Sequence, residues 1–248
     1  MKKFKDHFST QSLDYSKYRP TYPAELFEFI IQHTKNRETA WDTGTGNGQA
    51  ALEIAKHFKR VIATDPSEAQ TKNAIPAKNI EYKVASAENS GLPDKSIDLI
   101  TVAQAYHWFN HEKFIAEARR LAKKDATIAV WGYELCKVNP SVDKVFMRYY
   151  RDILEDYWPP ERKHVEESYA HLPFPFENAI YKEFSMSKNW NLYDFLAYLS
   201  TWSAAQKYIK AKGENPLDLV KEDFQKAWGK ASGTKQVAFP VFLHLGNL

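Results

Sequence analysis

The chain has 248 residues, 44% hydrophobic and 26% charged, an ordinary globular composition with length for one full α/β domain and a cap. Its net charge of +3, with both signs interspersed, is too mild to argue for a nucleic-acid partner, though it suits a small anionic substrate. No apolar run reaches the roughly 18–20 residues of a membrane span, and the single cysteine, Cys136, excludes an intramolecular disulfide. The opening MKKFKDHFSTQSLDYSKYRP lacks the apolar centre of a signal peptide, so a reducing, cytoplasmic location is expected.

From Pro23 onward the hydrophobic period alternates between helix and strand. Ala24–His33 has apolar positions at helical spacing behind a proline at a permissible helix start. Thr39–Asp42 reads as a short strand that runs into the turn DTGTGNG, and Gln49–Phe58 as the helix after it. Val61–Thr64, Ile80–Ala85, Ile97–Ala103 and Ala126–Trp131 continue as strands, with a helix over Asn110–Leu121 between the last two. Short apolar strands joined by helical crossovers predict a doubly wound, mostly parallel sheet of Rossmann-like type. Beyond Gly132 the pattern loosens. Ser141–Leu154, Leu192–Ser203 and Leu217–Lys230 read as helices of a cap, and Ala179–Ser187 and Gln236–Leu245 as strands. Pro240 inside the last of these calls for a bulge or a sheet edge. The reading is one domain over 1–248: an N-terminal segment 1–23, a cofactor-binding core 24–135 and a C-terminal part 136–248.

The segment Asp42-Thr43-Gly44-Thr45-Gly46-Asn47-Gly48 follows a strand and opens a helix. Glycines there let the backbone turn tightly and lie against a ligand that a Cβ would push away. The dinucleotide fingerprint asks for GxGxxG, but Gln49 stands three residues after Gly46 and the third glycine is Gly48. Asp42 would repel a pyrophosphate and attract an ammonium. A nicotinamide-dependent oxidoreductase on this architecture is thereby disfavoured, and a non-catalytic scaffold or sensor on the same fold is a further alternative. Asp65 closes the strand VIATD, where a carboxylate can reach ribose hydroxyls or serve as a helix cap.

This ordered set resembles the class I S-adenosylmethionine-dependent methyltransferases, and more narrowly the small-molecule group that includes trans-aconitate methyltransferase. The resemblance covers Phe8 to Trp131 well and the last third only loosely. It implies a seven-stranded sheet, S-adenosylmethionine as cofactor and S-adenosylhomocysteine as product. It also implies that Asp42, Gly44 and Gly46 cradle the methionine end and that Asp65 accepts hydrogen bonds from the ribose. Ala85-Ser86-Ala87-Glu88 with Leu92-Pro93 matches the adenine site, where Ser86 stands in place of the family's frequent aspartate. Gln104-Ala105-Tyr106-His107-Trp108-Phe109 matches the motif that faces cofactor and substrate together. In similar enzymes a segment such as Tyr15–Pro23 folds over the cofactor, which places Tyr15 and Arg19 at the cofactor and Tyr18 toward the substrate.

Other residues carry open readings. His107 is the histidine set immediately after a central strand, where it can hold a substrate carboxylate, act as a base, or simply pack beside Trp108. Trp190, Tyr198, Trp202 and Tyr208 form a stripe that reads as core or as pocket wall, and Trp202 is the member placed at the substrate. No metal-ligand spacing is present, and Cys136 has no obvious base beside it. The expected reaction is methyl transfer to a small molecule, O-methylation of a carboxylate being the leading case. It proceeds by in-line displacement, to which the protein contributes positioning. The sequence gives no oligomeric state.

Overall fold

The computed structural model describes residues 20–248 of the chain. Helix α1 (Ala24–Gln32) starts behind Pro23 and turns Leu26, Phe27, Ile30 and Ile31 inward, one stripe at helical spacing. It leads to β1 (Thr39–Thr43), α2 (Gln49–Ala55), β2 (Arg60–Asp65), the short α3 (Glu68–Lys72) and β3 (Ile80–Val84). Then follow β4 (Ile97–Ala103), a tight 3-10 turn at Tyr106–Trp108, α4 (His111–Leu121) and β5 (Ala122–Tyr133). Six of the seven residues of β4 are buried, as a strand covered on both faces must be, whereas β3 at the rim is half-covered.

The seven strands lie in the order β3-β2-β1-β4-β5-β7-β6, the sheet expected of the class I methyltransferase type. The β1–β5 strands run parallel, and β7 (Lys235–Asn247) is antiparallel to both β5 and β6 (Glu177–Trp190). From β1 the chain winds outward to β2 and β3, then returns to place β4 on the other side of β1. The crevice beyond the carboxyl ends of β1 and β4 is therefore the topological switch point, where open α/β sheets bind ligands. Asp42, Asp65 and Gln104 all lie at strand ends on this edge.

Alternate residues of β5 fall into two apolar cores. Ala129 and Trp131 join α1, α2 and the cap, while Ile128 and Val130 join α4, Tyr106, Phe114 and Tyr169. The sheet thus has a packed layer on each face. The cap comes from two insertions. The first carries α5 (Pro140–Met147), a π turn at Arg148–Ile153, a 3-10 turn at Glu155–Tyr157 and α6 (Arg162–Glu166). The second carries α7 (Leu192–Ser200), α8 (Ser203–Lys212), a 3-10 turn at Pro216–Leu219 and α9 (Lys221–Trp228).

Two expectations are corrected, and a third, the bulge or edge at Pro240, is resolved as a bulge. The helix predicted over Ser141–Leu154 is α-helical only to Met147 and widens into the π turn. The one predicted over Leu192–Ser203 ends at Ser200 behind an Asn191–Asp194 capping box, and Ser203 begins a separate helix, α8. Pro240 lies in an interior strand, and the bulge is on the opposite chain. Its carbonyl accepts the Glu134 N–H at 2.9 Å, so the hydrogen it lacks would face β5. The β5–β7 ladder stops at Tyr133↔Val241 and resumes at Lys137↔Ala238, four steps of one chain against three of the other. The proline sits where no ladder bond is required. Among the described residues no helix is long and apolar enough to cross a membrane.

Candidate functional site

The glycine turn is held open by different means at each glycine. All three have left-handed backbone, φ +67° at Gly44, +56° at Gly46 and +86° at Gly48. A Cβ on Gly44 would lie 2.6 Å from that of Ala105, and one on Gly48 would run into the Tyr82 hydroxyl. A Cβ on Gly46 would meet nothing within 4 Å, so the middle of the turn faces open space. Beneath it Asp42 is fully buried. Its Oδ2 accepts the Thr45 hydroxyl at 2.5 Å and its Oδ1 the Thr101 hydroxyl at 2.7 Å. Thr101 is its register partner across β1 and β4. Burial pushes the Asp42 pKa up to about 6 in spite of the two hydroxyls, and the neighbouring Asp65 charge adds to the rise. No Lys, Arg or His among the described residues forms an ion pair with it. A buried carboxylate beneath an open glycine turn suits the cationic end of an amino acid.

Asp65 ties that turn to the next one. Its Oδ2 accepts the Gly46 N–H and its Oδ1 the Ser67 N–H, both at 2.9 Å. The helix-cap reading belongs to Ser67, whose hydroxyl accepts the Gln70 N–H. Asp65 is 9% exposed at the end of β2, the strand end where such a carboxylate meets ribose hydroxyls in α/β folds. Ser86 and Ala87 follow β3 in a small turn closed by a bridge from Ser86 to Asn89. The same loop is anchored at Ser90, whose N–H and hydroxyl both donate to Oε1 of Glu117, at 2.9 and 2.5 Å. Arg120 grips the Glu117 carboxylate from the other side at 2.7 Å and also donates to the Leu92 carbonyl at 2.8 Å.

Along the post-β4 segment the structure separates the side chains. Gln104, at φ +54°, turns its amide onto β5: Oε1 accepts the Tyr133 N–H at 2.7 Å and Nε2 donates to the Tyr133 carbonyl at 3.4 Å. Its side chain thus extends the sheet, and what it can offer a cofactor is backbone. His107 is 9% exposed, with Nδ1 in hydrogen-bond contact with the Tyr169 hydroxyl at 2.8 Å. With the Tyr169 hydroxyl donating to Nδ1, the ring hydrogen is carried on Nε2; the reverse arrangement would put it on Nδ1. Burial, with the charges of Arg162, His164 and His111 nearby, pulls the His107 pKa down to about 3. A base would have to become the protonated ring, the form that this buried setting disfavours. A ring that stays neutral, with its hydrogen on Nε2, is a donor and a poor proton acceptor. Trp108, 38% exposed, packs on His107 with centroids 4.7 Å apart.

The substrate placement expected of Trp202 is corrected. It is 4% exposed and enclosed by Phe146, Tyr149, Trp158 and Tyr198, with ring centroids 5.3–5.9 Å away. It is the centre of the cap's core and has no free face for a substrate. Tyr15, Tyr18 and Arg19 lie outside the described residues. Cys136 is buried, and burial with the nearby Asp143 charge pushes its thiol up, which keeps it inert. Sequence reasoning missed Thr45 and Thr101 beside Asp42, Tyr82 over Gly48, Tyr169 behind His107 and Glu117 behind the adenine loop. Only Thr101 had a legible signal, since parallel pairing of β1 with β4 sets it opposite Asp42.

Comparison with known proteins agrees with this geometry. Residues 41–130 match the methyltransferase domain family. A methyltransferase-named protein of Dictyostelium discoideum is 39% identical over 252 residues, 99% of this chain and 96% of its own length. The solved structure of a protein named as a type II methyltransferase, from Anaeromyxobacter dehalogenans, superposes with a TM-score of 0.85. It has 40% identity over 92% of this chain and 97% of its own. A phosphoethanolamine N-methyltransferase of Haemonchus contortus, holding S-adenosylhomocysteine, shares the fold at TM-score 0.52 and 15% identity, over 97% of this chain and 58% of its own. The open glycine turn above a buried acid, with a second acid at the end of β2, fits that cofactor's two polar ends. The chain belongs to the S-adenosylmethionine-dependent methyltransferases.

Proposed function

We propose that the enzyme methylates a carboxylate oxygen of a small molecule, as in the group that includes trans-aconitate methyltransferase. The observation that carries this reading is the state of His107. The side chain best placed for a base is buried with its Nδ1 against the Tyr169 hydroxyl at 2.8 Å, a setting that disfavours the protonated ring. A hydroxyl or ammonium acceptor must lose a proton to become nucleophilic, whereas a carboxylate is ionised at neutral pH. S-adenosylmethionine supplies, when bound, a methyl group already activated on sulfur. The carboxylate oxygen forms the new bond to that carbon as the carbon–sulfur bond breaks, and no proton moves.

The chain's residues then act by position. Asp42 and the turn Gly44–Gly46 hold the ammonium end, Asp65 the ribose, and the loop at Ser86–Ala87 the adenine. The backbone around Gln104 lines the same crevice. The Nε2–H of His107 and the edge of Trp108 meet the acceptor, holding its oxygen in line and keeping water away. The test is turnover with labelled S-adenosylmethionine and a panel of small carboxylic acids, each paired with its alcohol and its amine. The expected product is a methyl ester, cleaved by mild alkali, formed from the acids alone. Label found only in alkali-stable ether or N-methyl products would overturn the reading.

A further inference from the structure

The first cap insertion brings an arginine, Arg162, near the turn that carries His107. Arg162 lies between two aromatic faces, its guanidinium carbon 5.7 Å from the Tyr150 ring and 5.4 Å from the Trp158 ring. Its Nε donates to the Tyr150 hydroxyl at 3.0 Å. The carboxylate next to it, Glu166, spends its oxygens on the Tyr150 hydroxyl and on Arg151. No carboxylate among the described residues forms an ion pair with Arg162; Arg37 and Arg119, which also lack one, donate instead to the Ile31 and Pro175 carbonyls. The side chain is thus clamped at Nε and over two rings, with the terminal nitrogens uncommitted. A planar cation held in this way is prepared for an oxyanion, since little rotamer freedom is left to lose.

A second observation is independent of the first. His164, two residues on in the same short helix, carries a buried Nδ1 with no hydrogen-bond partner. Its carbonyl accepts the N–H of Tyr169, the residue whose hydroxyl meets Nδ1 of His107. Helix α6 packs on the turn Tyr106–Trp108, so the segment that carries Arg162 and His164 borders the segment that carries His107. A buried nitrogen without a partner is costly unless something satisfies it.

We propose that Arg162, with His164 and the Nε2–H of His107 beside it, forms a subsite for an anionic oxygen group of the methyl acceptor, distinct from the glycine turn. Resting on the methyltransferase reading above, it assigns the acceptor's charged end to the cap. Carboxylate and phosphate share the necessary chemistry, and the guanidinium recognises either.

The test is anion binding read without turnover. Full-length protein saturated with S-adenosylhomocysteine is titrated with citrate and, separately, with inorganic phosphate. Tryptophan emission is followed at constant ionic strength, because Trp158 lies against Arg162 and Trp108 against His107. Saturable quenching by one of the two is expected. Citrate alone marks a carboxylate site and phosphate alone a phosphate site. Arg162→Gln should weaken that binding about tenfold or more, and Arg162→Lys, which keeps charge without the fork, by less. The affinity for S-adenosylhomocysteine, measured by calorimetry, should be the same in all three proteins. Equal anion affinity in wild type and Arg162→Gln, or no saturable response to either anion, would overturn the proposal. Failure of the function is read separately. If S-adenosylmethionine does not bind at all, the anion titration of the unloaded protein still reports on Arg162.

Discussion

A carboxyl group sealed from water, with no cation to meet it, is costly in its charged form, and Asp42 has that setting among the described residues. Its folded-state pKa of about 6 lies above the ordinary 3.8, so between those values the folded protein binds a proton that the unfolded chain has released. Stability therefore falls as pH rises across that interval, and above it a penalty of about 3 kcal/mol persists. Asp42→Asn should then be more stable than wild type in urea at neutral pH, by up to that amount, with the difference vanishing by about pH 4. The same variant should bind S-adenosylmethionine more weakly, because the negative charge that destabilises the empty protein attracts the ammonium. Wild-type affinity should likewise decline as pH falls through about 6. A variant that is no more stable at neutral pH, or that binds as well, would remove the case for a poised charge. The glycines divide in a comparable way. Gly48→Ala meets Tyr82 and should lose stability outright. Gly46→Ala has space, so it should lose only the roughly 1–2 kcal/mol of left-handed strain while losing most cofactor affinity. Thermal melts with and without S-adenosylhomocysteine separate the two.

Between β1 and β5 the strands, α2 and α4 were legible because each strand is a short apolar run and each of those helices an apolar stripe, with glycine or an Asn cap at the joins. The short α3 buries no residue and left no pattern to read. The site residues legible there, Asp42, Gly44, Gly46 and Asp65, owe their places to strand ends, and a strand end can be found from the pattern alone. The cap was less legible for physical reasons. Thr201 and Trp202 interrupt two helices whose apolar patterns run on into each other, and the π turn after Met147 shifts the helical period under Tyr149 and Tyr150. An aromatic stripe does not say which way it faces, and Trp202 proved to be core. Trp202→Ala should therefore cost about 3–5 kcal/mol in denaturant unfolding, as large core deletions do. Cofactor affinity in the folded fraction should be retained, whereas a pocket residue would show the reverse. The loop after β3, proposed above to hold the adenine, offers a complementary case, since its anchor lies on another element. Glu117→Gln gives up hydrogen bonds to a charged group worth about 1.5–3 kcal/mol. Amide exchange over Ser86–Leu92 should speed up, and S-adenosylmethionine affinity should fall although Glu117 lies behind the loop.

At the scale of the whole molecule, cofactor and fold are coupled through one sheet edge. Asp42, Asp65 and the segment after β4 come from three strands, and Asp65 holds the glycine turn of its neighbour by the Gly46 N–H. A ligand seated there joins β1, β2 and β4 and stabilises only the folded chain. Supplied at a hundred times its Kd, S-adenosylhomocysteine should add about 2.7 kcal/mol. In a chain of this size that corresponds to a rise in Tm of about 5–10 °C. Reduced nicotinamide dinucleotide at equal concentration should add nothing, because the acid at the base of the turn repels its pyrophosphate. Asp65→Ala should remove most of the rise for S-adenosylmethionine and S-adenosylhomocysteine alike, since both carry the ribose, while Arg162→Gln leaves it in place. If Asp65→Ala reduced the rise for one ligand only, the group it holds would not be the ribose. Asp65 would then act on the cofactor solely through the Gly46 backbone, as a positioning residue for the glycine turn.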